Sequence, residues 1–230
     1  TVSRYSANKI VQLYGVDQKK IRVVPNGVDV KRFKPTKDFI DLKESILKKH
    51  THLVLFVGNL IPRKSVHYLI EAAKQVIKEH KDTKFVVVGE GPLRKNLVSY
   101  TKKQKVSDKF DFLGSVTEKD LPKLFNCADV FASPSIQEGQ GITLLEAQAT
   151  AKPVVAFNLS AITEVVKNKE TGLLVNPNSY ELANAISELL SNKELRDKMG
   201  KSARDFVIKN FSWDICSKKM FQVYSEVTAS

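Results

Sequence analysis

The sequence predicts an α/β fold: one doubly wound sheet of parallel strands with helices on both faces. Three observations carry this. Short apolar runs, such as His52–Val57 (HLVLFV), alternate with longer segments whose apolar residues recur at helical spacing. The runs are continuous rather than alternating, as strands covered on both faces require. Several of them stop at a small residue, at Gly58, Gly89, Gly114 and Ser133. Those are strand ends where a ligand can approach the backbone, and in open α/β sheets ligands bind at the carboxyl ends of strands near the switch in strand order.

Taken in chain order, residues 3–14 read as a helix with Ser3 as N-cap and Gly15 past its end. Ile21–Val24 reads as a short strand stopped by Pro25-Asn26-Gly27. His52–Val57 is a buried strand, and a helix over about Lys64–Lys78 places Val66, Leu69, Ile70, Ala73 and Ile77 on one face. The unit repeats: strand Phe85–Val88, helix Leu93–Lys103, strand Phe110–Leu113. A helix from a Thr117 cap to Asn126 then leads to strand Asp129–Ala132. Helix Gly141–Ala151, strand Pro153–Phe157, a short helix Ala161–Lys167, the segment Gly172–Val175 and a helix Tyr180–Leu190 follow. Helices over about Lys193–Asn210 and Trp213–Glu226 close the chain.

At 230 residues the chain is long enough to bury a core without covalent staples. Its 42% hydrophobic and 27% charged residues exclude a disordered or fibrous class. No apolar run approaches the roughly 20 residues of a membrane helix. The cysteines, Cys127 and Cys216, and the four histidines have no metal-ligand spacing, so no metal site is expected. A reducing, cytoplasmic setting fits this cysteine usage. The chain opens on Thr1 and holds only Met199 and Met220, which suggests a piece of a longer protein.

The formal charge is +12 and is concentrated. Residues 1–100 hold 20 Lys/Arg against 9 Asp/Glu, whereas the other 130 hold 17 against 16. Nucleic acid, an anionic membrane surface and a phosphate-bearing small ligand all suit that excess, as does a merely solubilising face. No nucleic-acid recognition motif accompanies it, so a basic nucleic-acid-binding module is the weakest of these readings.

The most informative stretch runs from Pro134 to Ala147. A strand ends, a loop carries Glu138, Gly139, Gln140 and Gly141, and a helix opens through Ile142 and Thr143 to Glu146. Free amides and the positive dipole end at a helix start attract anions. The glycines let backbone approach a ligand. Carboxylates on both sides of a phosphate site suit a ligand with hydroxyls at both ends of a diphosphate, which is the layout of a nucleotide sugar. Opposite this acidic loop, the sequence places a basic one: Gly58-Asn59-Leu60-Ile61-Pro62-Arg63-Lys64, again between a strand end and a helix start. Cations at a helix N-terminus are disfavoured by the dipole, so Arg63 and Lys64 gain from an anionic partner. Gly114-Ser115-Val116 offers backbone groups that can read a base edge. Gly89-Glu90-Gly91-Pro92 reads as a plain turn, and Ser133 and Ser135 lack a histidine for nucleophilic chemistry.

With these residues the chain resembles the carboxy-terminal, donor-binding half of a retaining glycosyltransferase of family 4, one Rossmann-like domain of the two-domain GT-B architecture. The likeness rests on Glu138-x7-Glu146, Val88-Gly89-Glu90-Gly91-Pro92, Phe112-Leu113-Gly114, Ala128-Asp129-Val130-Phe131 with Pro134-Ser135, Lys152-Pro153-Val154-Val155-Ala156, and Thr171-Gly172-Leu173-Leu174-Val175. It extends from Val2-Ser3 through Asn26-Gly27-Val28-Asp29 to Phe211-Ser212-Trp213.

The resemblance implies a domain over residues 1–230 that binds a nucleotide-diphosphate sugar such as a UDP-, GDP- or ADP-sugar, without metal or other cofactor. Glu138 and Lys64 would be catalytic, Glu138 holding sugar hydroxyls and Lys64 neutralising the leaving diphosphate. Gly58, Asn59, Arg63, Gly114, Ser115, Val116, Gly139, Gln140, Gly141, Ile142, Thr143 and Glu146 would bind the donor, with Glu146 on the ribose. Residues 211–230 would form a helix crossing to an amino-terminal acceptor domain outside this chain. The parent enzyme would transfer a hexosyl group with retention, and the chain alone would be inactive. An anionic membrane surface or lipid acceptor at the inner face of the membrane is a further partner the basic half allows. A sugar-nucleotide epimerase of the same architecture is the alternative. The family usually carries Arg where Asn59 stands, Gly where Ser65 stands, an aromatic residue at Gln140, and a Gly-Gly near Ser160-Ala161. These departures bear on donor identity and phosphate affinity.

Overall fold

The structure is a computed structural model that describes residues 1–48 and 50–228. Among them six strands form one parallel sheet: β1 His52–Val57, β2 Thr83–Val88, β3 Phe110–Gly114, β4 Val130–Ser133, β5 Val154–Phe157 and β6 Gly172–Val175, ordered β3-β2-β1-β4-β5-β6. The helices are α1 Arg4–Tyr14, α2 Ile40–Leu47, α3 His67–Glu79, α4 Arg94–Lys103, α5 Leu121–Cys127, α6 Ile142–Ala149, α7 Ile162–Val165, α8 Ser179–Ser191, α9 Lys193–Phe211 and α10 Trp213–Thr228.

The continuous apolar runs have the expected cause. In β1, Val54 and Phe56 enter one core with α3 and α8, while Leu53, Leu55 and Val57 enter a second core with α5, α6 and α9. Successive side chains of a strand point to opposite faces, so a strand covered on both sides must be apolar at every position. Each fully buried Phe or Leu contributes about 2 kcal/mol by removal from water. None of the helices is long and apolar enough to cross a membrane, among the described residues.

Several boundaries differ from the sequence reading. Ile21–Val24 is not a strand: Ile21 N–H turns back to Gln18 O at 3.1 Å, Val24 N–H donates to Thr1 O at 2.8 Å, and Pro25 offers no donor to extend a ladder. α2 was not anticipated; it packs Leu47 into the second core and carries Lys43, which pairs with Asp129 at 3.2 Å. The helix expected from Thr117 begins only at Leu121. Thr117 Oγ1 does bond the Asp120 backbone and carboxylate, but the pair holds a turn. α3 begins at His67 rather than Lys64, because Pro62–Lys64 form a 3-10 turn closed by Ser65 in the left-handed region, φ 49°. The expected carboxy-terminal helix is present as α10; residues 229 and 230 of the 211–230 segment lie outside the described residues.

Candidate functional site

The switch in strand order falls between β1 and β4. β1 leaves through α3, which covers one face, and β4 leaves through α6, which covers the other. The crevice between diverging connections lies beyond the carboxyl ends of β1 and β4. Both chemistry-bearing loops of the sequence emerge there.

The two loops are stitched together. Ile136 N–H donates to Arg63 O at 2.9 Å, and the Arg63 guanidinium donates to Gln137 O at 3.0 Å. Lys64 Nζ lies 2.5 Å from Glu138 Oε1, and Arg63 lies 3.1 Å from Glu138 Oε2. Lys64 and Glu138 are buried, 8% and 6% exposed. Because α3 starts late, Lys64 does not sit on a helix N-terminus as the sequence suggested. The tight turn instead swings its side chain across the crevice, past Gly58, to the carboxylate three residues before Gly141. The acidic and basic junctions therefore meet directly, with Glu138 holding both cations. Asn59 is exposed, and Arg63 is the second cation of the cluster.

Beyond Glu138 the backbone prepares an anion site. The amides of Gly139, Gln140, Gly141, Ile142 and Thr143 have no acceptor within the described residues. Gly141 makes this possible: it is left-handed, φ 87°, and a Cβ there would fall 2.6 Å from Leu144 Cδ1. Ser160 stands left-handed at φ 52°, and its Oγ accepts the Glu138 amide at 3.0 Å. Ser160 and Ser65 thus adopt the backbone that glycine would favour, and Ser160 adds an anchor that the sequence did not reveal.

Glu146 sits farther along α6, and among the described residues its carboxylate has no hydrogen-bond partner. Burial raises its pKa to about 7, opposed by the nearby Arg32 guanidinium. Arg32 also bonds the Glu118 carbonyl at 2.7 Å, which brings it to the loop after Gly114, Ser115 and Val116. Arg32 was missed in the sequence because nothing local marks it. Gly89 is not the plain left-handed turn expected. A Cβ there would meet Gly58 O at 2.1 Å, so it lets the loops after β1 and β2 cross at close range.

The predicted residues thus form one cluster of Gly58, Arg63, Lys64, Glu138 and the 139–143 amides, flanked by Glu146 and by the Gly114–Val116 loop. The Gln140 side chain turns away from this cluster to Asn26. A groove of about 970 Å³ lies elsewhere, between the Thr1–Asn26 segment and α10. Its mostly apolar walls include no carboxylate and no row of free amides, so the chemistry assigns the site to the sheet edge instead. Among the described residues no group of three or more His, Cys, Asp or Glu is arranged to hold a metal ion.

The sequence signature described as glycosyl transferases group 1 matches residues 38–206. The chain is 35% identical over 209 residues to UDP-Gal:alpha-D-GlcNAc-diphosphoundecaprenol alpha-1,3-galactosyltransferase of Escherichia coli, covering 88% of this chain and 53% of that protein. The crystal structure of a glycosyltransferase from Rickettsia africae superimposes with a TM-score of 0.88 at 26% identity, over 99% of this chain and 62% of that one. The carboxy-terminal domain of a glycosyl transferase group 1 family protein from Francisella tularensis gives 0.73 at 27% identity, over 81% of this chain and 99% of that one. The chain spans about half the length of the curated relatives it matches.

Proposed function

Because the chain belongs to the family of glycosyl transferases group 1, we propose that it is the donor-binding domain of a retaining enzyme that moves a hexosyl group from a nucleotide-diphosphate sugar to an acceptor. The observation that carries this is the row of five acceptor-free amides at 139–143 beside two cations that share one buried carboxylate. A diphosphate fits that arrangement chemically. Its oxygens would take the amides and draw Lys64 and Arg63 from Glu138, and Glu138 would then accept sugar hydroxyls. Fixed cations and helix-start amides would stabilise negative charge as the diphosphate departs, without a metal ion. Glu146 would receive ribose hydroxyls, and the backbone at Gly114–Val116 would meet the base.

On this reading the acceptor is held by a partner domain, and the 230-residue chain binds donor but transfers nothing. The basic first hundred residues suit an acceptor at an anionic membrane surface. Calorimetry with UDP-, GDP- and ADP-sugars tests the proposal. One of the three is expected to bind, and Glu146→Ala is expected to weaken it at least tenfold. Absence of binding by all three, or sugar transfer by the chain alone, would contradict it.

A further inference from the structure

Gln140 stands between two glycines, so the backbone on either side of it is unusually free. Its side chain is nevertheless only 4% exposed, and both of its polar atoms are used on one residue. The Asn26 amide donates to Gln140 Oε1 at 2.8 Å, and Gln140 Nε2 donates to Asn26 O at 2.8 Å. A carboxamide can both accept from and donate to the backbone of a single residue in this way. Asn26 is itself fixed. Its neighbour Gly27 lies so close to Trp213 that a Cβ would fall 2.7 Å from the Trp213 Cα and ring. Val28 N–H donates to Phe211 O at 2.8 Å, and Val28 bridges Ser212. The glycine-rich loop is thus clamped, through one side chain, onto the junction of α9 and α10.

We propose that Gln140 is a positioning residue: its carboxamide holds loop 136–141 in the shape that presents the 139–143 amides, and ties that shape to the α9–α10 junction through Asn26, Gly27 and Trp213. The part of the proposal that concerns donor affinity rests on the functional reading above. The mechanical part does not.

Gln140→Met keeps length and volume and removes both bonds. Hydrogen exchange on the ligand-free chain is read at the Ile136 and Glu138 amides, which are bonded to Arg63 O and Ser160 Oγ rather than to Gln140. Exchange at both is expected to rise at least tenfold, with the Leu69 and Ile70 amides of α3 unchanged. No change at Ile136 and Glu138, or an equal rise everywhere, would overturn the clamp. Trp213→Ala is expected to raise the same two rates by a smaller factor; no rise would overturn the link to α10. In the binding arm, UDP is compared with UDP-glucose and GDP with GDP-mannose. Affinity for the nucleoside diphosphate and for its sugar is expected to fall at least fivefold in Gln140→Met, because the disordered amides face the diphosphate in both, and an unchanged affinity would overturn the role in donor binding. If the unaltered chain binds none of the four and no ADP-sugar either, the functional reading fails, whereas the exchange rates still decide the clamp.

Discussion

Lys64 and Glu138, 74 residues apart in the chain, meet at 2.5 Å in the crevice beyond β1 and β4, both buried. Removing one partner of a buried ion pair leaves the other desolvated and uncompensated. Lys64→Met is therefore expected to destabilise the chain by about 3 kcal/mol, with Arg63 limiting the loss. Lys64→Met combined with Glu138→Gln should recover at least half of it. Urea unfolding of the two single variants and the double variant measures this; additive effects would show that the pair is not coupled.

Glu146 makes stability depend on pH in a defined direction. Its pKa is raised in the folded state to about 7 from an ordinary 4.5, so the folded chain holds this proton more tightly than the unfolded one. Stability from this group is full below about pH 4.5 and is lost as pH rises through 7. Glu146→Gln should match the unaltered chain at pH 4.5 and exceed it by up to about 3 kcal/mol at pH 8. Unfolding curves at the two pH values decide this, and an equal gap at both would refute the buried-carboxylate assignment.

Gly141 and Gly15 give a matched pair. Both are left-handed, but a Cβ at Gly15 meets nothing within 4 Å, whereas one at Gly141 strikes Leu144. Gly15→Ala should lose about 1 kcal/mol, the ordinary backbone penalty. Gly141→Ala should lose at least about 1 kcal/mol more, because Leu144 sits in a packed core that gives little. Thermal unfolding of the two variants compares them, and equal losses would refute the steric contribution.

Much of the fold is legible in the sequence because its signals are local. The apolar run at 52–57 and the glycine at 58 each report their own conformation, and the Ser3 cap and Gly15 stop bound α1 within one residue. The candidate loop is legible for the same reason: Glu138, the glycines and Glu146 lie within nine consecutive residues. What escaped depends on distant partners. Ile21–Val24 has strand composition but no neighbouring strand to pair with. Lys64 reads as a helix-start residue until Ser65 turns left-handed. Nothing local marks the roles of Ser160, Asn26 and Arg32, since each acts through a residue at least 22 positions away.

On the proposed function, the amides of 139–143 would receive a diphosphate held also by Lys64 and Arg63. Backbone NMR of the chain titrated with UDP-glucose and GDP-mannose tests it most directly. The nucleotide sugar that binds is expected to give its largest amide shifts at Gly139 to Thr143, and Lys64→Met is expected to weaken that binding at least thirtyfold. Shifts centred on the groove beside α10, with these five amides unmoved, would contradict it.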